Sequence, residues 1–137
     1  MGAHDNARLA LKLSADRHQL DGAWWPRTRV LADELPSLLA AWPADAGYIS
    51  RVIYAQPDWE DRPNAVPIPN RRGLLKAVSF PPDDSHQVVL IMLDGQRRSL
   101  VVIQPDAADA TAVWYLRHFD PRAGRVPWAA VASVGPA

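Results

Sequence analysis

Residues 87–104 read Gln-Val-Val-Leu-Ile-Met-Leu-Asp-Gly-Gln-Arg-Arg-Ser-Leu-Val-Val-Ile-Gln. Two apolar, β-branched runs flank Asp94-Gly95, a dipeptide that tolerates the positive φ of a tight hairpin turn. The spacing predicts strands over 87–93 and 99–104. A third such run, 74–80, extends them to a three-stranded antiparallel meander, whose outer strands point the same way.

Working outward toward the N-terminus, Leu9, Leu11 and Leu13 alternate with Arg8, Ala10 and Lys12, the pattern of a half-buried strand. Gly22 permits a turn, and Trp24-Trp25 precede Pro26, which disfavours helix at the residue before it and leaves the pair on an extended segment or corner. Leu31, Leu35, Leu38, Leu39 and Trp42 share one face of a helix over about 29–41, with Thr28 as a plausible N-cap. Pro36 predicts either a kink or two short helices. A further strand is expected over 48–55. The segment 56–69 is rich in proline and carboxylates and reads as a long ordered loop with a short edge strand near 65–68. Asp106 and Asp109 open a last helix to about His118, burying Ala112, Tyr115 or Leu116, and Phe119.

The expected fold class is α+β: an antiparallel sheet of about five strands with two main helices packed on one face. A small, partly open β-barrel with helices is the runner-up. One domain is expected over 1–137, with a loosely docked tail from about 120 in which Val126 and Trp128 supply the apolar contacts.

Composition narrows the function classes. The 137 residues are 48% hydrophobic and 22% charged, ordinary proportions for a folded globule. Fifteen basic residues balance fifteen acidic ones, so there is no overall field to attract nucleic acid or an anionic bilayer. The absence of cysteine excludes disulfides and thiolate chemistry and fits a cytoplasmic protein. No apolar run approaches a membrane span, and no signal-peptide block is evident. Neither a glycine-rich phosphate cradle nor a Gly-x-Ser-x-Gly elbow occurs, and no cofactor or metal site is expected.

The stretch Leu20-Asp21-Gly22-Ala23-Trp24-Trp25-Pro26-Arg27, followed by Leu31, Glu34-Leu35-Pro36 and Leu38-Leu39, resembles an actinobacterial family described only as a domain of unknown function, numbered 5994. Arg51-Val52, Tyr54, Trp59, His86 and Asp94-Gly95 extend the likeness, which covers about 8–116. The resemblance implies a small α+β cytoplasmic protein and supplies no activity or ligand residues.

Four constellations bear on function. Adjacent indoles on an extended chain point to opposite faces, so one of Trp24 and Trp25 is expected near the surface, forming a recognition corner with Asp21 and Arg27; the bland alternative is a packed corner. Arg71-Arg72 and Arg97-Arg98 start two co-directional strands and could gather into an anion site, or else form a solvated rim neutralised by Asp83, Asp84 and Asp94. Trp59 with Asp58, Glu60 and Asp61 could hold a cation or share a proton, although a structural loop is the commoner use. His4, His18, His86 and His118 lack metal-ligand spacing, and His86 stands out for opening the central strand.

The resulting expectation is a non-enzymatic binding or interaction protein. Its site residues would be Asp21, Trp24, Trp25, Arg27, Trp59, Arg71, Arg72, Arg97 and Arg98, and its partner an unknown protein or a small anionic ligand. One alternative is a small enzyme or sensor with a pocket between sheet and helices, using Asp21, His86 or Glu60 as the acid–base group. A second is nucleic-acid binding through the arginine pairs, which zero net charge disfavours. No membrane association is expected, and homodimerisation through an edge strand is left open.

Overall fold

The computed structural model describes residues 8–13, 20–69, 72–80 and 86–120. Their order is β1 (Leu9–Leu11), β2 (Gly22–Trp24), α1 (Leu31–Ala41), β3 (Ile49–Ala55), β4 (Ala65–Pro67), β5 (Leu74–Phe80), β6 (Gln87–Met92), β7 (Arg97–Val102) and α2 (Asp109–Arg117). The strands form one seven-stranded sheet in the order β1-β2-β7-β6-β3-β5-β4. The expectation of about five antiparallel strands is therefore corrected to seven in a mixed sheet. The α+β class stands, and the sheet is open, with β1 and β4 at its edges. No helix among the described residues is long and apolar enough to cross a membrane.

The β6–β7 hairpin forms where Asp94-Gly95 required it, with Gly95 at φ 89°. Its neighbours differ from a meander. β3 inserts between β5 and β6, pairing parallel with β5 and antiparallel with β6. β2 pairs parallel with β7, aligning Gly22 with Leu100 and Trp24 with Val102. As a result β2, β7, β3 and β5 all run one way and β1, β6 and β4 the other. β5 and β7 are co-directional, as expected, but β5 is an interior strand rather than an edge.

Alternation along each strand divides the interior into two cores, one on each face of the sheet. In β7, Leu100 and Val102 face one core while Val101 faces the other. The first core gathers Trp24, Val52, Tyr54, Leu75, Val88 and Leu90 under Leu31, Leu35 and Leu38 of α1. The second gathers Ala23, Trp25, Val101 and Ile103 under Ala112 and Tyr115 of α2 and the adjoining Phe119. The helices thus lie on opposite faces, which corrects the one-face expectation. The physical reason lies in strands such as β7, whose consecutive apolar residues need cover on both sides.

Helix α1 begins at Leu31 and continues through Pro36. Thr28 is not its N-cap residue. Its Oγ1 accepts from the backbone N–H of Val30 and donates to Glu34 Oε2, while Glu34 Oε1 accepts from the Arg27 N–H. The orphan N–H groups of the first turn are met from a distance. Asp61, in the loop after β3, accepts from Leu31 N–H at 2.7 Å and Ala32 N–H at 3.0 Å. Replacing Asp61 with alanine leaves both donors without a protein partner, and should lower stability by about 1–2 kcal/mol, the range for a lost cap. Urea denaturation is the measurement, and a change within about 0.3 kcal/mol would show that water serves these groups equally well.

Candidate functional site

The four co-directional strands bring their C-terminal ends to one end of the sheet, where the segments after β2, β3 and β7 meet the residue that opens β6. Backbone bonds join them: Ile103 N–H to Trp24 O, Val102 N–H to His86 O, and Glu60 N–H to Arg29 O. Arg29 reaches Asp106 at 3.3 Å. This rim comprises residues 25–29, 56–61, 86 and 103–106.

At its centre His86 Nδ1 lies 2.6 Å from Asp58 Oδ1. The Asp58 side chain is only 3% exposed and that of His86 21%. His86 also has φ 53°, a left-handed backbone that L-residues other than glycine adopt infrequently and that surrounding contacts must enforce. The turn Gln56–Asp58, directly after β3, carries the carboxylate. Because β6 pairs antiparallel with β3, the start of one strand meets the end of the other, and two residues distant in sequence come together. A carboxylate on Nδ1 fixes the orientation of the imidazole ring.

The structure distributes the other sequence candidates differently from the corner expected of them. Trp24 and Trp25 are 1% and 3% exposed. They do point to opposite faces, but each face has a core, so neither indole reaches the surface. Trp24 packs against Trp59, also buried, with ring centroids 5.6 Å apart. Trp25 lies beneath the Arg8 guanidinium, 3.5 Å from its ring centroid, and Arg8 donates to the carbonyls of Trp25 and Pro26. Burial lowers the Arg8 pKa, as does the nearby charge of Arg27. Arg27 itself is exposed and remains available on the rim.

Asp21 belongs to the opposite end of β2. It is buried and accepts from Arg98 at 3.2 Å and from the Ser99 N–H at 2.9 Å. Arg98 also donates to Gln96. Arg72 and Arg97 are exposed near the starts of β5 and β7, on the expected common end. Two strands intervene, however, which separates β5 from β7 by about 14 Å at ordinary strand spacing. The four-guanidinium cluster therefore does not form as the meander implied, because the strand order is not sequential. Arg71, Asp83, Asp84, His4, His18 and the tail contacts of Val126 and Trp128 lie outside the described residues.

The acidic loop also has separate tasks for its members. Asp58 holds His86, Asp61 caps α1, and Glu60 is exposed. Tyr54, beneath this loop, donates to Pro63 O; its pKa is raised, chiefly by burial. His118 stacks on Trp114 at 4.6 Å on the outer side of α2. Sequence alone drew attention to His86 but not to Asp58 as its partner.

Fold and rim together define a small α+β domain, a two-cored mixed sheet with a histidine–carboxylate pair at the loop end. The family of unknown function DUF5994 matches residues 8–119, and the chain belongs to that family. No match was found among curated proteins or among solved structures.

Proposed function

We propose that the protein is a non-enzymatic binding protein whose contact surface is the rim around His86, with Arg27 and Arg29 contributing positive charge. The observation that carries this reading is the partly exposed His86 held by buried Asp58 on a left-handed backbone. The interaction partner is a small anion or an acidic group on a protein. The guanidinium groups of Arg27 and Arg29 recognise carboxylate or phosphate oxygens. Zero net charge and the separation of the arginine-bearing strand starts favour such a local site over nucleic acid.

Nuclear magnetic resonance titration with acetate, citrate and inorganic phosphate tests this assignment. Saturable amide shifts are expected in 25–29, 56–61, 86 and 103–106, and they should disappear in His86→Asn. Asparagine is chosen because it tolerates the left-handed backbone. Shifts confined to the other end of the sheet, around Arg72 and Arg97, would overturn the reading, as would responses that persist unchanged in His86→Asn.

The 2.6 Å pair also favours a second reading, in which His86 is the acid–base group of a small enzyme and Asp58 orients it. In that case Asp58→Asn would leave ligand-induced shifts largely intact while abolishing turnover of whichever bound compound is altered. A binding protein would return every compound unchanged.

A further inference from the structure

The charged residues of the strands are all cationic. Across β1–β7 there is no Asp or Glu, and the charges are those of Arg51, Lys76, Arg97 and Arg98. Arg98 shares the face of Leu100 and is paired with buried Asp21. The other three fall in one register row on the opposite face: Arg97 beside Ile91, Ile91 beside Arg51, and Arg51 beside Lys76. Alternation along β3 and β5 sets this row on the side away from Val52, Leu75 and Ala77 of the first core. All three cations are exposed, and none has a side-chain hydrogen bond or ion pair among the described residues. Asp94, in the β6–β7 turn, directs Oδ1 to the Gln96 N–H rather than to Arg97. At ordinary strand spacing the Arg51 and Lys76 positions are about 5 Å apart, and Arg97 is about 10 Å from Arg51. Like charges directly opposite weaken a sheet, a cost in the free protein that an anionic partner relieves.

Next to the cations runs a second row, Val89, Ile53 and Val78. It is aliphatic and increasingly exposed: Val89 is 6% exposed, Ile53 half-buried and Val78 36%. The partner that fits carries carboxylates along one flank and apolar side chains along the next. On an α-helix laid across the strands, acidic residues seven and then four positions apart stand about 10 and 16 Å along the axis from the first. The row places Arg51 and Lys76 about 10 and 14 Å from Arg97, a match within the play of long cationic side chains. A single-stranded nucleic acid would meet the cations but find no ring in the adjoining row on which a base could stack, and zero net charge gives no long-range attraction to a polyanion. We propose that this face of β7, β6, β3 and β5 is a docking surface for an acidic amphipathic helix of another protein, with its carboxylates on Arg97, Arg51 and Lys76 and its apolar side chains on Ile53 and Val78. The row crosses the strands near their starts and the rim lies past their ends, so the two sites stand or fall separately.

The test is a nuclear magnetic resonance titration of the full chain with an end-capped, alanine-rich peptide of about 18 residues, long enough to form helix in water, bearing Glu along one flank and Leu along the next. Saturable amide shifts are expected at Arg51, Ile53, Lys76, Val78, Ile91 and Arg97, with segment 56–61 of the rim unmoved. Combining Arg51→Glu, Lys76→Glu and Arg97→Glu should weaken the peptide at least about tenfold, because three modest surface attractions become repulsions. The combined variant should in turn bind the same peptide with Lys in place of Glu, a gain that loss of folding cannot produce. Loss without that gain would mean that the row serves the fold rather than a partner. Shifts absent from the row, unchanged affinity in the combined variant, or equal affinity for a Gln version of the peptide would each overturn the proposal. So would tighter binding of oligothymidine or of phosphatidylserine vesicles than of the Glu peptide, since the partner recognised would then be a nucleic acid or a lipid surface.

Discussion

Gly22→Ala is expected to cost at least about 3 kcal/mol, at the top of the range for overpacked sites and a large part of a typical domain's roughly 5–15 kcal/mol. A Cβ built at Gly22 would stand 2.3 Å from the carbonyl oxygen of Ala10, 2.8 Å from Leu11 Cδ2 and 2.9 Å from Leu100 Cδ2. The two side chains could rotate away. The carbonyl could not, because it belongs to β1, which pairs with β2 through Leu9–Trp24, Ala10–Ala23 and Leu11–Gly22. Relief requires β1 to separate from β2 or β2 to shift against β7, and either movement disturbs both cores at Trp24 and Ala23. Gly95→Ala supplies the contrast. Gly95 has φ 89° and open space around its would-be Cβ, so its substitution carries only the conformational penalty of about 1 kcal/mol. Urea denaturation of both variants measures the difference. Equal, small losses would mean that β1 does not lie against Gly22 as described.

That glycine illustrates how far the sequence could be read. Gly22 was expected to open a turn, the usual reason for a glycine beside aspartate, but it lies inside a strand where neighbouring backbone comes too close for a Cβ. A three-residue strand such as β2 is too short for period-two alternation to show, so both its existence and its parallel pairing with β7 were hidden, whereas the short edge strand expected near 65–68 is present as β4. The hairpin was legible because its signal is local: Asp94-Gly95 dictates the turn and the turn dictates the register. The insertion of β3 between β5 and β6 has no local signature.

The tryptophan pair offers a subtler case. Alternation correctly sends Trp24 and Trp25 to opposite faces, and the expectation of an exposed indole then assumed only one buried face. The run Leu100-Val101-Val102-Ile103 contained the missing information, since four successive apolar residues in a strand imply cover on both sides. Side-chain partnerships were less accessible still. His86 with Asp58, and Arg98 with Asp21, join residues 28 and 77 positions apart, and their meeting depends on a strand order the sequence did not disclose. The same holds for Asp61, whose role at the start of α1 could not be recognised from the loop around it.

Asp21→Ala is the second substitution with a large expected effect, a loss of about 3–5 kcal/mol, the range for breaking a buried ion pair by removing one partner. Asp21 and Arg98 have side chains 5% and 17% exposed, with 3.2 Å between Oδ1 and the guanidinium. Oδ2 accepts from the Ser99 N–H, so the carboxylate also ties the start of β7 to the segment entering β2. Alanine removes both roles and takes the Asp21 charge away from a largely buried guanidinium, a larger penalty than the pair's net worth. The double substitution Asp21→Leu with Arg98→Met distinguishes these effects. It removes both charges while keeping apolar volume, and it should recover at least half of the loss. High salt should leave the Asp21→Ala deficit nearly unchanged, because buried pairs are weakly screened. If the double variant were as unstable as the single one, the deficit would instead reside in the Ser99 bond and the alignment of β2 with β7, with Arg98 a bystander. A single-variant loss below about 1 kcal/mol, the range of a surface pair, would mean that water reaches the carboxylate and that this end of β2 is open.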